Sequence, residues 1–304
     1  MKYYFIVNGR ADKAELHAEV RRQMANCAHL LSEMGALTDL YMTTGEGDAT
    51  RQTRLYCDLH PDEKVCFVAC GGDGTLNEVA SGIVGFAHKS LAFLNLCGHG
   101  DDFVKYYPDY KFQSLEDILK GENRRVDILK INDSYSINVC NFGFDALVAG
   151  TANELAQEGK NNVYRRGVLI AILRGRFNRI SVVADGEKLG GPWLLSCALG
   201  NGRFVGGEFM TCPDAVNDDG LIDVTFIKSM TFLRFIATLS YVAKGTHFKT
   251  RYIKRKCIYR QVKHVEIRSK NIIELCLDGE MLPGTHFNVD LLPLAIELRL
   301  PLKH

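Results

Sequence analysis

The chain has 304 residues, 46% hydrophobic and 24% charged, an ordinary globular composition that excludes extended disorder and leaves room for two modest domains. A formal net charge of +1 argues against a general nucleic-acid binder, so no nucleic-acid partner is expected. The ten cysteines are scattered without a Cys-x-x-Cys spacing, which favours buried free thiols in a reducing cytoplasm over disulfides or zinc.

Met1 to Val7 is apolar but stops at Asn8 and Gly9, too short to span a bilayer, and reads as a first core strand. Leu16, Val20, Met24, Cys27, Leu31 and Met34 recur at helical spacing and end at Gly35, so a single helix is expected there. A strand over 38–43, a helix over 49–59, a strand over 65–70, a helix over 76–84 and a strand over 91–95 continue the alternation. Alternating strands and helices imply a parallel sheet with ligands at the carboxyl ends of its strands. Near Arg124 the rhythm changes: strands over 126–131 and 136–141 are joined at Asn132-Asp133-Ser134, as in a hairpin. Further strands are expected over 180–184, 194–199, 222–227, 264–267 and 273–277, with helices over 163–174 and 232–243. The apolar tail over 289–301 is again strand-like.

Between the strand over 65–70 and the helix that follows lies Gly71-Gly72-Asp73-Gly74-Thr75-Leu76-Asn77-Glu78-Val79. Glycines at a strand-to-helix corner let a phosphate approach the main chain and meet the unpaired amides of the helix. Asp73 would repel that phosphate unless it handles a cation or a proton, which points to magnesium or acid–base chemistry. Thr75 and Glu78 also have the spacing of a capping box.

This nonapeptide resembles, residue for residue, the Gly-Gly-Asp-Gly-Thr-x-Asn-Glu-Val motif of the diacylglycerol kinase catalytic-domain family, which includes sphingosine kinases and bacterial lipid kinases. The shorter glycine core is shared with NAD kinases and phosphofructokinases, and Asn77 and Glu78 narrow the match. The resemblance extends over nearly the whole chain. Val7 to Lys13 is similar to the family's Asn-Pro-x-x-Gly-Lys loop, with Asn8 and Lys13 kept and the Pro and Gly lost. Thr43 with Gly47-Asp48-Ala49 resembles a segment that touches the nucleotide, although a helix N-cap at Asp48 would explain it equally. Leu96 to Phe103 resembles Pro-x-Gly-Thr-x-Asn-Asp-Phe, with His99 in place of a threonine and Asp101 in place of an asparagine.

By this resemblance the nucleotide ATP would be held by Asn8, Lys13, Thr43, Gly71, Gly72, Gly74, Thr75, Leu76, Asn77, Glu78, Gly98, His99 and Asp102. Asn201-Gly202-Arg203, Gly206-Gly207, Pro213-Asp214-Ala215 and Asp219-Gly220-Leu221 are similar to the family's second-domain pattern. In many bacterial members its Asp-Gly corner holds a structural magnesium. The implied ligands are the Asp219 carboxylate and the main-chain oxygens of Val216 and Leu221; from the residues alone, the segment reads as an acidic solvated turn. Leu277-Asp278-Gly279-Glu280 matches the family's Asp-Gly-Glu motif, which implies that Asp278 or Glu280 acts on the acceptor hydroxyl, with Asp73 as the third catalytic acid. The near-duplicate Asp185-Gly186-Glu187 reads as a hairpin turn only.

The implied architecture is α/β with two domains. A parallel-sheet nucleotide-binding domain covers 1–124 with 288–304 returning, and an antiparallel β-rich lipid-substrate domain covers 125–287. The implied activity is transfer of the ATP γ-phosphoryl group to a lipid alcohol, diacylglycerol first, with Mg2+ as cofactor. An NAD-kinase-type metabolite kinase and a non-catalytic lipid-binding relative are the rivals. The expected location is cytoplasmic and transiently peripheral to a membrane, with a homodimer left open. Lys249 to Lys256 is either the membrane contact or an ordinary solvated face.

Overall fold

A computed structural model describes residues 1–9, 14–96, 101–143, 180–190, 194–230 and 232–303. Lys13, Gly98, His99 and the helix expected over 163–174 lie outside the described residues. The chain divides into two units, Met1–Asp127 with Pro293–His304, and Ile128–Leu292.

In the first unit, β1 (Lys2–Val7) is followed by α1 (Ala14–Asn26), α2 (Ala28–Glu33), β2 (Leu37–Met42), α3 (Asp48–Leu59), β3 (Val65–Cys70), α4 (Asp73–Ile83) and β4 (Lys89–Leu94). The single helix expected from Leu16 to Met34 is two helices. Cys27, with ψ at 5°, interrupts it, and the break keeps Leu31 in the same core as Leu16, Val20 and Cys27. The strands run parallel in the order β4-β3-β1-β2, and every residue of β3 and β4 is buried, as strands covered on both faces require. α5 (Leu115–Lys120), which the sequence reading did not separate, packs Leu115, Ile118 and Leu119 on that core behind a Ser114 cap.

The second unit is antiparallel. β5 (Glu122–Ile131) enters it and turns through Asn132-Asp133 into β6 (Ser134–Ser136), so the expected hairpin is present. β7 (Val139–Gly143), β8 (Ile180–Ala184), β9 (Glu187–Leu189), β10 (Leu194–Gly200), the short pair β11 (Phe204–Val205) and β12 (Phe209–Met210), and β13 (Ile222–Lys228) follow. α6 (Phe232–Ala243) and the single turn α7 (Arg251–Lys254) precede β14 (Cys257–Val262), β15 (His264–Leu277) and β16 (Glu280–Leu300). The ladder order is β14-β13-β10-β7-β15-β16, with the β8–β9 hairpin on β15. Two expected strands, 264–267 and 273–277, are one strand whose register shifts between Arg268 and Ile273. The last residues of β16 lie parallel to β4, so the tail completes the first unit's sheet.

All nine described cysteines are buried and free. Burial pushes the Cys57, Cys66 and Cys257 thiols up to about 11 and the Cys212 thiol up to about 12.

Candidate active site

The parallel register ends the four first-unit strands level: Val7 pairs with Met42 and with Cys70, and Cys70 with Leu94. The loops after them therefore emerge at one edge, which brings Asn8, Thr43, Gly71 and Asn95 together. The Asn8 amide donates to the Cys70 carbonyl at 3.0 Å, and its Nδ2 reaches the Thr75 hydroxyl at 3.5 Å. The Gly9 amide donates to Thr43 Oγ1 at 3.1 Å, a bond that the family's proline could not make. A Cβ on Gly9 would stand 1.8 Å from the Thr43 carbonyl oxygen, so no larger residue fits that backbone.

α4 begins at Asp73 with Gly72 as its N-cap and no side-chain cap. This corrects the capping-box reading, because Thr75 lies within the helix and Glu78 points elsewhere. The Glu78 carboxylate accepts the Ala49 amide at 3.0 Å and so caps the start of α3, while its carbonyl accepts Thr50 Oγ1 at 2.9 Å. Burial raises the Glu78 pKa, and the amides of Gly47, Ala49 and Thr50 oppose that shift. Leu76 is fully buried and its amide bonds the Gly72 carbonyl; Asn77 is buried as well. Of the run Gly71 to Glu78, this leaves the first-turn amides as the surface offered to a ligand, since Thr75 is itself buried against Asn8.

The glycines act by space rather than by dihedral angle. None of Gly71, Gly72 and Gly74 has a positive φ. A Cβ at Gly71 would lie 2.4 Å from Thr75 Oγ1, whereas at Gly74 it would meet nothing within 4 Å. Gly71 thus lets Thr75 fold over the corner, and Gly74 keeps the outer face of the first turn open to an approaching group.

Asp73 is held by the main chain. Its Oδ2 accepts the Asp102 amide at 2.9 Å and its Oδ1 the Phe103 amide at 3.3 Å, so the carboxylate fixes the turn that carries Asp102. Asn95 Nδ2 donates to Asp101 Oδ1 at 2.8 Å, and Asp101 has φ 52°, a left-handed conformation that Asn and Asp tolerate. Asp48 is the first residue of α3, not its N-cap, which is Gly47 with φ 74°. The Asp48 side chain turns back to accept Thr44 N at 2.7 Å, Thr44 Oγ1 at 2.8 Å and Tyr41 OH at 3.0 Å, and it also meets Arg51. Burial opposes its ionisation, but those donors prevail and hold the carboxyl at about 2.

In the second unit the Asp278-Gly279 turn closes β15 onto β16, with φ of 50° and 101° at its two residues, as a two-residue hairpin requires. Asp278 Oδ2 accepts Ser136 Oγ at 2.8 Å and the Asn138 amide at 3.1 Å, and Oδ1 accepts the Val139 amide at 2.9 Å. Burial pushes the carboxyl up to about 6, against the pull of the Val139, Asn138, Ser136 and Ile137 donors. The strand expected over 136–141 is broken between β6 and β7 at this point. Asn138 passes the constraint on: its carbonyl accepts the Asn201 and Gly202 amides at 2.9 and 2.7 Å, and its Nδ2 donates to the Phe204 carbonyl at 3.1 Å. Asn201 Nδ2 returns to the Ile137 carbonyl at 2.7 Å. The Asp-Gly-Glu and Asn-Gly-Arg motifs, 75 positions apart in sequence, are therefore one hydrogen-bonded assembly joined by Ser136 and Asn138. Sequence reasoning missed those two; the only signal was polar residues bracketing Ile137 within an apolar strand.

At the implied magnesium corner, Asp219 Oδ1 accepts the Leu221 amide at 3.0 Å and Gly220 has φ 76°. Among the described residues no group of three His, Cys, Asp or Glu side chains has metal-binding geometry, so main-chain oxygens would have to complete such a site. Asp223 behind it is fully buried; Tyr259 OH donates to its Oδ1, and its Oδ2 has no hydrogen-bond partner. Burial raises Asp223 to about 6, and the charges of Asp219 and Asp214 push the same way. An orphaned buried carboxylate oxygen beside two further acids fits a cation at Asp219.

Residues 2–131 match the diacylglycerol kinase catalytic domain, and residues 138–300 match the YegS C-terminal NAD kinase beta sandwich-like domain. A protein of Yersinia pestis (strain Pestoides F) named "Probable lipid kinase YegS-like" is 30% identical over 97% of this chain and 96% of its own length. The chain belongs to the YegS-like lipid kinases. A relative of the same name from Serratia proteamaculans (strain 568) is 28% identical over 97% of this chain and 93% of its own. Two solved structures share the fold. A diacylglycerol kinase of Bacillus anthracis str. Sterne superposes with a TM-score of 0.68 at 20% identity, covering 98% of this chain and 96% of that one. An NAD kinase from Archaeoglobus fulgidus in complex with ATP gives 0.52 at 10% identity, covering 98% and 93%. Membership in the YegS-like family makes the chain a lipid kinase with an α/β first domain and a β-rich second one.

Proposed function

We propose that the chain transfers the γ-phosphoryl group of ATP to a lipid hydroxyl, with diacylglycerol as first candidate. The observation that carries the nucleotide half is the level edge of the first-unit sheet, where Asn8, Thr43 and the open first turn of α4 meet. The amides of that turn and the positive end of the helix would bind phosphate oxygens. Asp73, with both oxygens on main-chain amides, is a positioning residue that holds Asp102 and its turn in place.

On the acceptor side, Asp278 has both oxygens engaged with Ser136, Asn138 and Val139, so it fits the holding of the turn better than proton transfer. Glu280, half-buried at the head of β16, is the residue we assign to the acceptor hydroxyl, to orient it and accept its proton. Bound magnesium would supply positive charge to the three carboxylates Asp214, Asp219 and Asp223, with Asp219 and the carbonyls of Val216 and Leu221 holding it. Among the described residues no helix is long and apolar enough to cross a membrane, so a lipid acceptor would have to be met at a bilayer surface.

The deciding experiment incubates purified protein with labelled ATP, magnesium and a total lipid extract beside an NAD arm, and identifies the labelled product. A labelled phospholipid is expected. Label in NADP instead would replace this reading with a metabolite kinase, and no label in either arm would leave a non-catalytic relative.

A further inference from the structure

Between Val224 and Val265 the chain has no Asp or Glu and ten Lys and Arg. Since the whole chain has 37 basic and 36 acidic residues, everything outside that segment carries nine more acids than bases. Such segregation is costly without a counter-anion, because like charges are brought together and no carboxylate from their own segment can relieve them.

The fold concentrates the cations further. Leu195, Ile227, Ile253 and Cys257 form a small core cluster, with Met230, Leu239 and Phe248 packed against it. Lys228, Lys249, Lys254 and Lys256 each adjoin a member of that cluster in sequence, and the Lys228 amide bonds the Lys256 carbonyl at 2.8 Å. Lys249, Arg251, Lys254 and Arg255 are exposed, and none of the four has an acidic partner among the described residues. Beside them stands α6, which has a single charged residue, Arg234, in twelve. Its Arg234, Ala237 and Tyr241, with Lys244 just past its end, recur at helical spacing and are all exposed, Tyr241 at 40%. An aromatic ring flanked by cations on an apolar helix suits a headgroup region, where the ring enters the acyl boundary and the long cationic side chains reach phosphates.

We propose that this surface, made of the outer face of α6, the turn α7 and the start of β14, docks the protein on an anionic phospholipid bilayer. The apolar helix and exposed Tyr241 favour a bilayer over another polyanion, and that choice rests in part on the lipid-kinase reading. The acidic remainder of the chain is repelled by the same leaflet, so docking through this surface is also oriented.

The test is sedimentation with vesicles of phosphatidylcholine alone or mixed with phosphatidylglycerol, without ATP. Binding is expected only to the mixed vesicles and should weaken with added salt. Replacing Lys249, Arg251, Lys254 and Arg255 together by Gln should lower the partition by about fivefold per cation, several hundredfold in all. Tyr241→Ala should lower it further. A control with Arg21, Lys64, Lys111 and Lys188 replaced by Gln makes the same change in net charge on exposed residues elsewhere and should bind as wild type. Equal losses in both quadruple variants, equal binding to neutral vesicles, or tighter capture by a DNA duplex would overturn the proposal. Phosphorylation of detergent-dispersed lipid, measured on the same preparations, separates failure to dock from failure of the kinase reading.

Discussion

The chain contains Asp-Gly-Glu twice, and the two copies fold alike but are used differently. Asp185-Gly186 and Asp278-Gly279 are both two-residue turns with left-handed Asp and Gly, followed by a Glu that opens the next strand. The Asp185 carboxylate lies at the exposed end of its hairpin and accepts the Lys263 and His264 amides at 3.1 and 2.9 Å. The Asp278 residue is half-buried, and its carboxylate organises a loop more than 130 positions away in sequence. A local motif therefore specifies the turn, and only the surroundings decide what its acid holds: Asp185 ties its exposed hairpin to the start of β15, whereas Asp278 ties its turn to the segment that leads to the Asn201-Gly202-Arg203 loop.

The largest expected effect distinguishes the two glutamates. Glu280→Gln should lower kcat for lipid phosphorylation by about 100-fold to 10,000-fold at unchanged thermal stability, whereas Glu187→Gln should leave kcat within about twofold. Steady-state kinetics beside a melting curve checks this, and a Glu280→Gln enzyme with normal kcat and raised KM for ATP would remove Glu280 from acceptor chemistry.

Next comes Asp278→Asn. Asparagine tolerates the left-handed backbone, so the variant tests the acceptor role of the carboxylate rather than the turn. Turning an amide NH2 toward the buried donors should cost about 2–4 kcal/mol in urea unfolding, while Asp185→Asn should cost less than about 1 kcal/mol. Equal losses would mean that the Ser136 and Asn138 network adds nothing.

The pH dependence is smaller but carries a definite sign. Asp278 ionises near 6 in the folded protein against 3.8 ordinarily, so the native state binds the proton more tightly than the unfolded chain. Its contribution to stability is therefore greatest below about pH 4, is lost as pH rises to about 6, and is level above, a change of about 3 kcal/mol at most. The wild-type minus Asp278→Asn difference should show that slope. Asp223 leaves a slope of the same sign in the variant. If magnesium binds beside Asp223, it should raise the melting temperature at pH 8 and lose that effect below pH 6; a pH-independent shift would argue against that site.

Much of the first unit was legible because a buried parallel sheet writes itself as apolar runs alternating with amphipathic helices. Val65 to Cys70 and the glycine corner after it could be placed from the sequence alone. The roles of single polar residues were not. Glu78 has the spacing to cap its own helix, but α3 lies alongside and takes the carboxylate; no local pattern encodes that packing. Asp73 read as an acid for magnesium or proton handling because the amides that hold it, those of Asp102 and Phe103, belong to another loop. In the second unit, the long β15 was read as two strands because the polar stretch from Ser269 to Asn271 interrupts the alternation at a register shift.

The buried thiols give the protein an internal clock of its own opening. With nine described sulfhydryls inside and several pushed to 11 or above, a thiol reagent at neutral pH can react with them only while the surrounding structure is transiently open. Cys27, Cys57, Cys66 and Cys70 report on the first unit; Cys140, Cys197, Cys212, Cys257 and Cys276 report on the second. Mass spectrometry of the alkylation time course would thus rank the two units by kinetic stability without any engineered label, and would show which of them a bound nucleotide slows.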